Sequence, residues 1–511
     1  QRITKFNGFG EPSYKLCSLN KTKALTERPR SWQVVWQVAR IGTLPERLMP
    51  PPSKPRALDS MSDRNQEATN AQTPSRPWYM RIGPGIITAC VVIGPGSILS
   101  SSKVGATNGF ALSWVVVLAV GFMMVYMMLG ARLGVAAGQS PATLLTDRVG
   151  RWLAALIGIG VFFISAAFQF GNNIGVHSAF KEYEPYITKI PLMQVDYVVL
   201  LFNALAILFV FGFKNLYRAL ERLMMVFVGM MLLSFAINLL FAKPDPVEFL
   251  AGFVPTLSSV FALDDRFSVL ALVATTFVIT AAYNQAYLVQ QKGWGKEDLR
   301  DGLIDARVGS VIMGLITIML MSTAGAALRG QDLANVSDVA SGLRPAFGEW
   351  GHSLFCLGLF SAAYSSFIVN SMIGGFILAD GLGLGSKPSD FGPKAFTTVV
   401  LLTGMVVALL VLKAKFNPVP AIVAAQAVTV IAAPLVAGAL WWLTNRADIM
   451  GADRNSRTVN ALAGIGFLLL LAMAAYTACV SIPANVKKLR ESRTQSLAPT
   501  SHFVVRDLRH A

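Results

Sequence analysis

The chain runs to 511 residues, of which 54% are apolar and 14% charged, at a mean hydropathy of +0.53. Those values exclude an ordinary soluble protein, leave no stretch for an enzyme-like domain, and describe an all-α polytopic membrane protein. The net charge of +16 does not point to nucleic acid, because Lys and Arg collect in tails and in loops between apolar runs, where they set membrane topology.

Residues 1–78 read as a disordered basic tail: the first 60 carry eleven Lys or Arg against four Asp or Glu and include Met49-Pro50-Pro51-Pro52. The first residue is Gln1, and Met61 opens a polar leader directly before the first apolar run, so Met61 is an equally good start for the native protein. Trp32, Val35, Trp36 and Ala39 share one helical face, either a membrane-surface patch or a chance cluster. Cys17, Cys90, Cys356 and Cys479 lie far apart with no CxxC spacing, so neither a disulfide framework nor a thiolate metal site is expected, and no cofactor motif appears.

A transmembrane domain is expected over 79–483, followed by a basic tail, 484–511. Apolar runs long enough to cross a bilayer cover 82–106, 110–136, 152–178, 193–213, 219–242, 267–291, 303–328, 350–379, 393–412, 418–443 and 460–482, eleven in all. The first run writes Gly83-Pro84-Gly85 and then Gly94-Pro95-Gly96. Eleven residues of helix rise about 16 Å, roughly half the hydrocarbon core, so the second motif breaks a helix near the midplane. There an unpaired backbone group costs several kcal/mol, and such a break survives beside a cavity or a ligand, as in secondary transporters. With a cytoplasmic N-terminus, inner loops hold fourteen Lys or Arg and outer loops eight, which favours that orientation.

Polar groups inside spans are expensive and therefore informative, although most intramembrane Ser and Thr, and many Asn and Gln, simply join helices. The third run offers Gln169, Asn172, Asn173 and His177, and the sixth Thr275, Thr276, Thr280, Tyr283, Asn284 and Gln285. The eighth has Ser361, Ser365, Ser366 and Asn370, and the tenth Gln426 and Thr429. No run reads as carrying Asp or Glu in its interior; Asp196, Glu221, Glu349 and Asp380 fall at run ends. Of the cations within runs, Arg132 reads as snorkelling, and Lys103 as reaching either an interface or a vestibule.

From about Gly83 to about Gly464 the sequence resembles the NRAMP-type (natural resistance-associated macrophage protein) divalent metal-ion transporters. The resemblance rests on the two Gly-Pro-Gly motifs, Gly109-Phe110, Ala131-Arg132-Leu133-Gly134-Val135, Gly252-Phe253-Val254-Pro255, Leu288-Val289-Gln290 and Asn445-Arg446 through Met450-Gly451 to Asn460. It implies a LeuT-like fold of two inverted five-helix repeats, spans one to five and six to ten, with spans one and six both broken at a central site. The sixth run has no Gly or Pro at its centre, so its break is implied by the resemblance alone.

Carried over by position, the family's metal site is mostly replaced. Its Asp-Pro-Gly-Asn falls on Gly94-Pro95-Gly96-Ser97, which keeps the break and loses the carboxylate and the amide. Its Ala, Met and first His in span six fall on Thr275, Val278 and Thr280, its second His on Gln285 beside Asn284, and a span-ten glutamine on Gln426. The soft thioether that favours transition metals is gone. The acidic pair linked to proton movement falls on Gln169 and Asn172, amides that do not titrate near pH 7. In the outer vestibule Ser101 and Lys103 replace positions where the family has an acid and a glutamine. The resemblance therefore implies a metal-ion carrier with altered selectivity and weak or absent proton coupling. A carrier of another small solute on the same fold, or a non-transporting sensor, stand as alternatives. The partners implied are the bilayer and a small inorganic ion or solute.

Overall fold

The computed structural model describes residues 82–184, 195–255, 266–413, 419–484 and 486–487. The tail 1–78, including Met61 and the face of Trp32 and Trp36, lies outside them, as do the rest of the C-terminal tail and the side chain of Gln426.

The first run folds as two helices, α1 (Pro84–Val92) and α2 (Pro95–Asn108), bent by 60°. There follow α3 (Ser113–Ala137), α4 (Pro141–Arg148), α5 (Arg151–Lys181), α6 (Val195–Gly212), α7 (Leu216–Ala242) and α8 (Pro246–Ala251). The second half repeats the theme with α9 (Arg266–Thr276), α10 (Ile279–Lys292), α11 (Leu299–Ala327), α12 (Val336–Leu382), α13 (Phe391–Lys413) and α14 (Val419–Asn445). The short α15 (Ala447–Met450) leads to α16 (Arg457–Tyr476). In its described residues each of the eleven expected runs is helical, the first and sixth with a break. Eight stretches among the described residues are long and apolar enough to cross a membrane, and the bent pair α1 and α2 makes a ninth. The shorter α6 and the α14 helix occupy the other two runs. Within α12, Gly348 at φ 66° separates a leading helical stretch from the eighth span, which starts where the apolar run predicts.

Large apolar side chains left mostly exposed by the described residues, such as Leu208, Leu240, Leu233 and Leu468, lie on the outside of the bundle. In water such a surface would drive aggregation, whereas against lipid it is the matching solvent. Inside, glycines bring backbones together where hydrophobicity cannot discriminate between lipid and protein. A Cβ on Gly130 of α3 would strike the Ala282 carbonyl of α10, and one on Gly85 of α1 would strike the Asp305 carbonyl of α11. A Cβ on Gly105 of α2 would strike the Met321 carbonyl of α11. Three of the four half-helices flanking the breaks are thus seated on α3 or α11 at backbone contact.

Outside the spans, Asp448 receives Arg446 Nε and Arg148 Nε, each at 2.9 Å. These bonds, Arg446 first, lower the pKa of its carboxyl to about 2, and the Arg148 bond ties α4 to α15. The Asn445-Arg446 to Met450-Gly451 stretch singled out in the sequence is this tie.

Because Gly130 has no room for a side chain, Gly130→Val should lower the thermal stability of the detergent-solubilised protein by about 1–3 kcal/mol. Gly121→Val, on the open face of the same helix with nothing within 4 Å of a Cβ, should leave the melting temperature unchanged in the same assay.

Candidate functional site

Between α1 and α2 the chain runs extended through Ile93 (φ −90°, ψ 94°) and Gly94 (φ −130°, ψ −179°). Pro95 occupies the first helical position of α2, where its missing N–H would have had no partner. The Gly94 N–H donates to Ser97 Oγ at 3.0 Å, and Ser97 Oγ donates to the Gly94 carbonyl at 2.9 Å. Ser97 thus closes the end of its own helix. A carbonyl freed on the other side, that of Val91, accepts from Ser366 Oγ of α12 at 3.2 Å. Ser366 Oγ in turn accepts from Asn370 Nδ2 at 2.9 Å. A Cβ on Gly94 would lie 3.0 Å from Ser366 Oγ and 3.3 Å from Asn172 Oδ1, so the break faces α12 and α5. Gly175 of α5 lets that helix seat directly on the Pro95 ring.

The sixth span is broken too, at Phe277 and Val278, with Val278 extended at φ −86° and ψ 90°. Neither Gly nor Pro is involved. The Phe277 ring packs on Phe122 and Tyr126 of α3, with centroids 6.1 and 5.4 Å away, and Tyr126 donates to the Ala463 carbonyl at 2.9 Å. Phe277 keeps a helical bond, its N–H donating to the Val273 carbonyl at 2.8 Å, so α9 ends with the Phe277 ring anchored on a neighbouring helix and the chain turns extended at Val278. Thr275 and Thr276 end α9 and turn their hydroxyls back to their own helix, toward Ala271 and Leu272. Gly96 lies against Thr275, whose Cγ2 is 4.0 Å from where a Cβ would be.

The structure therefore brings Gly94, Pro95, Gly96, Ser97, Asn172 and Thr275 to the two breaks and adds Ser366 and Asn370. Val278 forms the second break itself, and Thr280 and Asn284 are buried on the first turns of α10. Gln169 heads a buried amide row on α5: Asn173 Nδ2 donates to its carbonyl at 2.8 Å, and Asn203 of α6 donates to Asn173 Oδ1 at 2.7 Å. Gln169 Nε2 and Asn203 Oδ1 end that row with no hydrogen-bond partner among the described residues. In α2, Ser101 is fully buried and Lys103 half-buried.

Gln285 lies elsewhere. Its Oε1 accepts from Thr88 Oγ1 at 2.5 Å and its Nε2 donates to Asp305 Oδ2 at 3.1 Å. Asp305 also accepts from the Gly83 N–H at 2.7 Å and the Gly85 N–H at 2.6 Å. The reading that no span encloses an acid is corrected here: Asp305, third residue of the seventh run, is 0% exposed. Its position resembles a run end in sequence, and only the start of α1 folding over it buries it. Beside it Lys292 Nζ pairs with Glu221 at 2.9 Å and donates to the Ile82 carbonyl at 3.0 Å. Further along α10, Tyr287 donates to Asp380 Oδ2 at 2.7 Å.

Electrostatically, the described groups against the first break, Ser97, Asn172 and Ser366, are neutral. Among the described residues no three His, Cys, Asp or Glu side chains converge as a metal-binding group. Such a lining offers hydroxyls, amides and backbone carbonyls, which suit ions that keep part of their water.

Residues 85–479 match the model of the Nramp family, natural resistance-associated macrophage protein-like. The divalent metal cation transporter MntH of Chromohalobacter salexigens is 26% identical over 444 residues, covering 82% of this chain and 96% of that protein. MntH of Deinococcus radiodurans is 23% identical, covering 86% and 98%. Among solved structures, the Eremococcus coleocola manganese transporter superposes with a TM-score of 0.68 at 16% identity, over 82% of this chain and 91% of that one. MhsT in complex with L-phenylalanine gives 0.52 at 16% identity, over 76% and 98%. These likenesses extend the fold through both halves of the chain.

Ser366→Ala would strand the Val91 carbonyl and remove the acceptor for Asn370, at about 1–3 kcal/mol. The expected outcome is a lower melting temperature than wild type, with Ser366→Thr retaining most of it.

Proposed function

The chain belongs to the natural resistance-associated macrophage protein family, and from that premise we propose that it is a secondary transporter moving divalent metal ions across a membrane. The proposal includes altered selectivity, weak or absent proton coupling, and a cytoplasmic N-terminus. The observation that carries it is the pairing of two mid-span breaks with a neutral lining of Ser366, Asn370 and Asn172 where the family pattern has an aspartate. Stripping a dication bare for neutral ligands is unfavourable, so the cargo enters with much of its water, as Mg²⁺ or Mn²⁺ does. Gln169 and Asn172 neither take up nor release a proton near neutral pH, which supports transport without obligatory proton movement. Gln426, Thr280, Asn284 and the vestibule pair Ser101 and Lys103 complete the proposed path. The same lack of a carboxylate favours one other reading, a carrier of another small solute on this fold.

Purified protein in liposomes should take up Mn²⁺ or Mg²⁺ with no change of internal pH; flux no greater than in empty vesicles would sink the metal reading. Restoring the family chemistry with Gly94→Asp plus Val278→Met should create Mn²⁺ binding visible by calorimetry. Because a Cβ at position 94 sits 3.0 Å from Ser366 Oγ, that hydroxyl must shift by a few tenths of an ångström for the new carboxylate to fit. No heat change in the double variant would count against the site assignment.

A further inference from the structure

The nine-residue α1 is joined to the rest of its span only through the extended pair Ile93 and Gly94, so it can pivot there as a unit. Its free end is fastened by Asp305. Both carboxylate oxygens accept amide hydrogens from the start of α1, Gly83 on Oδ1 and Gly85 on Oδ2, and Oδ2 also accepts from Gln285 of α10. Thr88 of α1 closes the loop by donating to Gln285. Three N–H donors and the positive end of a helix dipole all face one fully buried carboxylate.

That arrangement suits the charged form alone. A proton on either oxygen converts an acceptor into an O–H donor pointed at N–H donors, so at least one bond of the clasp is lost. The charged and titratable neighbours are these: α10 brings Lys292, α7 brings Glu221 and Tyr217, α1 brings backbone amides and has Cys90 as its one titratable side chain, and α11 itself carries Arg300, Asp301 and Arg307 near Asp305. The only charged residue of α3 is Arg132. Lys292 and Glu221 neutralise each other in a pair that also grips the Ile82 carbonyl.

We propose that Asp305 is a proton-binding positioning residue that fastens α1: as a carboxylate it holds α1 against α10 and α11, and one proton taken from water at that face releases α1 to pivot about Gly94. The inference goes beyond the transport reading, since it concerns the position of α1 whatever solute is carried. Acidification therefore favours opening beside α1, and the clasp is restored as pH rises.

Cys90 is a built-in reporter, because it lies on α1, is fully buried, and points its sulfur at the Met224 carbonyl of α7 at 3.7 Å. The experiment uses the full chain in nanodiscs, with Cys17, Cys356 and Cys479 changed to Ser. At pH 8, Asp305→Asn should speed N-ethylmaleimide labelling of Cys90 at least tenfold over the parent. Hydrogen exchange at the α1 amides, corrected for intrinsic rates, should rise in the parent from pH 8 to pH 5 and stay flat in Asp305→Asn. Equal labelling, or an unchanged pH profile in the variant, overturns the proposal. If Asp305→Asn does not fold, Gln285→Leu removes one donor to the carboxylate and should move the exchange midpoint to higher pH. Faster exchange at every pH with no shift of midpoint marks a merely structural role and overturns the proposal too.

Discussion

Inside a bilayer a backbone amide or carbonyl has no water to fall back on, so each interruption of a helix must be matched by a partner from elsewhere in the fold. The two breaks in this protein obey that constraint by different means. At Gly94 the chain uses a local solution, with proline where no N–H is needed and Ser97 folded back on the glycine. The carbonyl side of the same break is satisfied from a distance, by Ser366 on α12. At Val278 neither glycine nor proline interrupts the helix, and the residue ahead of the break, Phe277, is anchored by aromatic packing on α3. The surrounding helices, α3, α5, α11 and α12, are positioned by these obligations as much as by apolar burial.

The chemistry at the centre follows from the same accounting. An aspartate before the proline would supply both a charge for a cation and a strong acceptor. With glycine there, the acceptor work passes to hydroxyls and amides, and the lining becomes neutral. Charge is instead concentrated at the beginning of α1, where Asp305, Glu221 and Lys292 surround the first Gly-Pro-Gly motif. That motif can approach so closely because Gly85 carries no side chain to meet the Asp305 backbone. One Gly-Pro-Gly forms the break and the other forms the fastening, two uses of the same three residues.

Much of this architecture was legible in the residues. All eleven apolar runs are helical in their described residues, and the first break lies where Gly94-Pro95-Gly96 stands, since glycine and proline disrupt helices by their own covalent structure. The order and spacing of short motifs pointed to the family that the comparisons establish. The site was legible only in part. Gln285 reads as a central amide of span six, but Thr88 and Asp305 draw it to the start of α1. Ser366 and Asn370 were visible as polar residues of span eight, yet nothing in their spacing indicates that they face Gly94 rather than a neighbouring helix.

Span layout and the first break were decided by the sequence itself, because hydrocarbon thickness and the backbone limits of glycine and proline act within a single segment. The second break, the partners of the freed carbonyl and the burial of Asp305 were decided only by tertiary structure. Each depends on which groups from distant segments meet, and an orphaned carbonyl, an aromatic ring or a carboxylate near a run end carries no mark of its partner until the helices pack.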